Sequence, residues 1–122
     1  MEINANSGQV EVISPFGRVY LYTHSHSDKL ISDVYAALKK GVRWDDADYL
    51  AKMVFCHMLP LECWQDEIGF GIGTTLYADI DLLVTIDTTK QIISVTSALD
   101  KNYRYSASFD SFVSGYSYGA EL

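Results

Sequence analysis

The chain has 122 residues, 48% of them apolar, and 16 acidic residues against 9 basic ones give a formal charge of −7. That length and apolar share fit one domain with a core of its own. No run of about 18 apolar residues occurs, so no membrane-spanning helix is expected. The opening MEINANSGQ has neither a basic start nor an apolar stretch, which points to a cytoplasmic protein without a secretory signal. Lys and Arg never cluster, and neutralising phosphates takes grouped cations, so direct nucleic-acid binding is not expected. The carboxylates are scattered along the chain, as on a solvated acidic surface, rather than gathered in the long run that a nucleic-acid mimic would carry.

Residues 9–13 (QVEVI) and 17–23 (GRVYLYT) alternate in character around Ser14-Pro15-Phe16-Gly17 and predict two strands joined by a turn. Ser27 or Asp28 can cap a helix in which Leu30, Ile31, Val34, Ala37 and Leu38 recur at helical spacing, with Gly41 as its stop. In the next segment Asp45 occupies the cap position and Asp46 and Asp48 the first turn, where carboxylates answer free backbone N–H groups and the positive end of the dipole. Ala47, Leu50, Ala51, Val54, Phe55 and Met58 then form a broad apolar stripe, and Pro60 ends the helix.

Three further strands are predicted at 69–77 (GFGIGTTLY), 82–87 (LLVTID) and 91–97 (QIISVTS), most simply as an antiparallel meander. Ser108 caps a short last helix with Phe109, Phe112, Val113 and Tyr116 on one side. The order β-β-α-α-β-β-β-α implies class α+β: a five-stranded, mainly antiparallel sheet with helices packed on one face.

Several residues have the right type or place for chemistry or recognition. If the second strand stays extended past residue 23, His24 and His26 project from one face and begin a metal site, with His57 or an aspartate as third ligand. The plainer alternative is a solvated strand end. His57 falls about 20° outside Leu50 on a helical wheel, at the margin of the apolar arc, and is expected to be at least half-buried. Arg43 and Trp44 are left without a role in capping or in the stripe. Gly69, Gly71 and Gly73 alternate and would place bare backbone on one strand face, either under a bulky group such as Trp44, Trp64 or a helix, or under a ligand or partner. Their spacing is not GxGxxG and they lead into a strand, so neither a dinucleotide fingerprint nor a phosphate loop applies.

Tyr103, Tyr105, Tyr116 and Tyr118 gather among serines and glycines, suiting either a recognition surface or homo-oligomer contact, or an edge strand and helix that cover the sheet. The two cysteines, Cys56 and Cys63, suggest reduced thiols rather than a disulfide framework or zinc cluster. No catalytic triad, metalloprotease, Walker or CxxC spacing is present. No cofactor is therefore expected, and an enzyme is the minority reading.

Together VYLYTH at 19–24, RWDDADYLAKMVFCHM at 43–58, GFGIGTT at 69–75 and LLVTID at 82–87 resemble a widespread group of small bacterial, phage and prophage proteins. Those proteins share an Arg-Trp-Asp-Asp helix start followed by Tyr-Leu-Ala and a Gly-Tyr/Phe-Gly-Ile strand, and the likeness covers roughly residues 18 to 97. The resemblance brings no catalytic residue with it. It implies a mobile-element accessory protein that binds or inhibits a host protein, with anti-defence action as one form. The alternatives are a small-ligand or nucleotide binder using the glycine face, and a metal-dependent hydrolase using His24, His26 and His57.

Overall fold

The computed structural model describes residues 4–60, 69–98 and 104–116. The chain is α+β, with six strands and three α-helices among the described residues. β1 (Asn4–Ser14) and β2 (Gly17–Thr23) form the predicted hairpin. A 3₁₀ turn at Ser27–Lys29 leads into α1 (Leu30–Leu38), followed by α2 (Ala47–Met58), β3 (Phe70–Gly73), β4 (Ile80–Asp87), β5 (Ile92–Ser97), β6 (Arg104–Ser108) and α3 (Phe109–Tyr116). The sheet order is β3-β2-β1-β4-β5-β6, parallel between β1 and β4 and antiparallel at the other four pairings.

Four expectations need correction. The strand count is six rather than five, because Arg104–Ser108 pairs with β5. In that strand only Tyr105 and Ala107 face the core while Arg104, Ser106 and Ser108 are exposed, so the apolar signal is weak. Residues 69–97 do not form a meander: β3 pairs with β2 at one edge, and the chain returns to lay β4 beside β1. Asp46 rather than Asp45 caps α2, accepting a 3.0 Å bond from the Tyr49 N–H. Neither Ser27 nor Asp28 caps α1 through its side chain, since the 3₁₀ turn precedes that helix. The stop at Gly41 stands: at φ +70° it adopts the left-handed conformation glycine favours, and its N–H bonds the Leu38 carbonyl at 3.0 Å.

Register explains the two faces. Leu21, Val10, Val84, Val95 and Tyr105 lie opposite one another in one row across the sheet. This face receives the helices through Leu30, Val34 and Leu38 of α1, Leu50, Val54 and Met58 of α2, and Phe109 and Phe112 of α3, all buried in a single apolar cluster. Burying each such side chain is worth about 1.5–3 kcal/mol before conformational entropy is charged against it. Shifted by one residue, Gly71, Tyr22, Gln9, Leu83 and Thr96 form a row on the opposite face, and Gly73, Tyr20, Glu11, Thr85 and Ser94 form the next. Period-two alternation therefore commits the polar residues of QVEV and the tyrosines of VYLY to a face that none of the described helices covers.

Candidate functional site

On the face opposite the described helices Glu11 is 6% exposed. Its carboxylate accepts hydrogen bonds from Tyr20 Oη at 2.6 Å and Arg18 Nη1 at 3.0 Å through one oxygen, and from Thr85 Oγ1 at 3.1 Å through the other. The register places Tyr20 and Thr85 on either side of Glu11, which is how a buried charge obtains its partners. Donation to Glu11, then burial and the charge of Glu11, raises the Tyr20 hydroxyl above its ordinary pKa. Tyr20 thus stays protonated and fixed in place.

Beside this cluster, residues 74–79 connect β3 to the parallel β4. Gln9 holds this segment against the uncovered face as a strap: its Nε2 donates to the Thr75 carbonyl, and its Oε1 accepts from the Tyr77 N–H, both at 2.9 Å. The Tyr77 ring meets Tyr22 edge-on with centroids 5.5 Å apart. Between the strap and β3 lies a cleft of about 600 Å³, bounded by Tyr20, Tyr22, Tyr77, Asp79 and the backbone of Gly71 and Gly73. Among the described residues, a Cβ built on Gly71 or Gly73 meets nothing within 4 Å, so these glycines leave open space beside them. Neither Trp44 nor any of the described helices sits on them, and their bare backbone borders the cleft. Burial raises the Tyr22 pKa, with smaller contributions from the Asp79 carboxylate and from Tyr77, so this hydroxyl also keeps its proton at neutral pH. The cleft therefore offers aromatic faces, protonated phenols, backbone amides and one carboxylate.

Other candidates fall elsewhere. Gly69 precedes the strand, at φ +72°, where its carbonyl accepts from the His24 N–H at 2.8 Å and its own Cβ position is 3.3 Å from His24 Cβ. β2 ends at Thr23, and His26 N–H turns back to Thr23 Oγ1 at 3.1 Å, so period-two logic no longer governs the histidines. His26 stacks on Phe70 with centroids 5.5 Å apart, while His24 Nδ1 is 3.4 Å from Tyr22 Oη. Among the described residues no group of three His, Cys, Asp or Glu side chains is placed to hold a metal ion.

His57 is exposed, contrary to the expected half-burial. The buried arc of α2 runs from Leu50 through Val54 and Met58 to Ala51, and His57 lies outside its edge. Arg43 and Trp44 prove to have structural contacts. Arg43 lies 4.9 Å from the Tyr49 ring centroid, and the Trp44 Nε1 donates to the Leu38 carbonyl at 3.0 Å while its ring meets Phe109 edge-on at 5.6 Å. Trp44 thereby ties the end of α1 to α3. Tyr105 and Tyr116 pack on Phe112, so the alternative in which they cover the sheet holds for both. Tyr103, Tyr118, Trp64 and Cys63 lie outside the described residues.

Sequence reasoning therefore found Gly71 and Gly73 but missed Gln9, Tyr20, Tyr22, Tyr77 and Asp79. For the first three, the alternation of QVEV and VYLY was an available signal. The strap was not legible, because it depends on a strand order that local patterns do not encode. The chain matches no protein-family model, no curated protein and no solved structure.

Proposed function

We propose that the protein is a binding module acting by occupancy rather than turnover, with the strapped cleft beside β3 as its recognition site. The observation that carries this reading is the open space above Gly71 and Gly73 within a concave, tyrosine-lined site. Its volume of about 600 Å³ lies within the range of roughly 300–1,000 Å³ usual for organic ligands. Binding is also favoured over catalysis by the state of the polar groups. Tyr20 and Tyr22 are held protonated, and the Glu11 carboxylate is engaged by three donors. Tyr20 has its one O–H committed to Glu11 and so offers a ligand its ring, Tyr22 offers a ring and a hydroxyl, and the engaged Glu11 carboxylate is poorly placed to abstract a proton.

In the setting that the resemblance implies, the occupant belongs to a host cell, either as a free organic molecule or as a group displayed by a host protein whose action is thereby blocked. Native mass spectrometry of protein purified from cells, wild type beside Gly71→Val, tests the reading. The expected result is a bound mass, or a captured host protein, that is lost in a folded Gly71→Val variant. Equal retention by that variant would place recognition elsewhere on the molecule.

A further inference from the structure

We propose that the cleft selects an organic cation, an ammonium or guanidinium group carrying an apolar body, through Asp79 and the rings of Tyr20, Tyr22 and Tyr77. The inference rests on the reading of the cleft as a binding site and specifies its ligand. Among the described residues that line the cleft, Asp79 is the one acidic side chain and none is a lysine or arginine. Among the described residues no lysine or arginine lies within ion-pair distance of Asp79. A carboxylate without a cationic partner beside three tyrosine rings is complementary to a positive group, because the faces of such rings carry negative potential. The net charge of −7 adds a long-range field of the same sign.

Size and ligand number separate an organic cation from a metal ion. Ca²⁺ and Mg²⁺ are held mainly through grouped carboxylates, whereas among the described residues one carboxylate lines the cleft and no group of three His, Cys, Asp or Glu side chains is placed to hold a metal ion. Its volume of about 600 Å³ leaves room for an apolar body against Ile72 and the bare backbone of Gly71 and Gly73. The retained proton of Tyr22, due to burial first and Asp79 second, agrees with a carboxylate acting across this space.

The test is a titration of the full chain, followed by amide chemical shifts, with benzylammonium, benzyl alcohol and benzoate, which share a ring and differ in charge. Acetyl-lysine N-methylamide serves as the form that a protein side chain would present. Benzylammonium is expected to bind about tenfold tighter than benzyl alcohol, the gain of one charge pairing with partial cation–π support. Benzoate should bind weakest. The shifts should map to Tyr22, Gly71, Gly73 and Tyr77, and Asp79→Asn should remove the preference for benzylammonium over benzyl alcohol.

Tighter binding by the lysine derivative supports a displayed side chain as the source, and tighter binding by benzylammonium supports a free amine. Benzyl alcohol or benzoate binding as well as benzylammonium, or a preference that survives Asp79→Asn, overturns the cation inference while the binding cleft stands. If none of the four probes moves the cleft amides, both readings fall.

Discussion

Replacing Gln9 by methionine keeps the volume of a side chain that is 1% exposed but removes both hydrogen bonds that hold the strap. A neutral intramolecular hydrogen bond contributes roughly 0.5–1.5 kcal/mol net, so the two together set an upper range of about 1–3 kcal/mol. Thr75 and Tyr77 are exposed in the native chain. Water can therefore take over their backbone groups once the strap lifts, which places the expected global loss near the lower end, about 1–1.5 kcal/mol. The effect on the strap itself should be larger than on the sheet, because Gln9 is its side-chain tether to β1.

Native-state hydrogen exchange separates the two effects. The Tyr77 amide should exchange about tenfold or more faster in Gln9→Met than the global loss accounts for, while the amides of β4 should follow the global change measured by urea denaturation. If Tyr77 and β4 accelerate by the same factor, the strap has no separate opening, and the assignment of Gln9 as its tether is wrong.

Asp33 supplies a pH test. Burial raises its carboxyl to about 6, offset in part by Lys29 at 3.9 Å. The folded value lies above the unfolded value of about 3.9, so ionisation opposes folding and stability should fall as pH rises from about 4 through about 6. Asp33→Asn should thus match wild type near pH 4 and exceed it by about 1–2 kcal/mol at pH 7.5 in urea melts, a figure reduced for solvent screening. Gly8→Ala should destabilise by about 1–3 kcal/mol, because its Cβ would lie 2.6 Å from Leu30 Cδ1 and 3.0 Å from the Leu82 carbonyl oxygen. An unchanged urea midpoint would contradict that close approach. Glu11→Ala strands the hydroxyls of Tyr20 and Thr85 and should cost about 2–4 kcal/mol, with Tyr20 titrating closer to an ordinary phenol by ultraviolet absorbance.

Helix positions and faces were legible because their causes are local. Asp46 caps within one turn of the helix it serves, and the stripe of Leu50, Val54 and Met58 follows from 3.6-residue periodicity. The cap was misplaced by one residue because three aspartates compete in WDDAD, and only backbone conformation chooses among them. Strand alternation also predicted that Gly71 and Gly73 share a face, but what stands above that face depends on order. The β3-β2-β1-β4 arrangement sends residues 74–79 back across Gln9, and no sequence pattern marks that return. His57 was misjudged because a wheel gives an angle on the helix but not the direction in which the sheet lies. Tyr105 was open to two readings because a tyrosine suits a recognition surface and a core margin equally well, and its strand register decides.

Filling the space above β3 tests the central claim most directly. Gly71→Val adds a β-branched residue on a strand where its Cβ meets nothing within 4 Å, so stability should stay within about 0.5 kcal/mol of wild type. A fragment screen read by amide chemical shifts on both proteins is then the deciding measurement. The account predicts wild-type hits that cluster on Tyr20, Tyr22, Gly73 and Tyr77 and disappear in the equally stable variant. Hits that map away from these residues, or that persist unchanged when the space is filled, would contradict it.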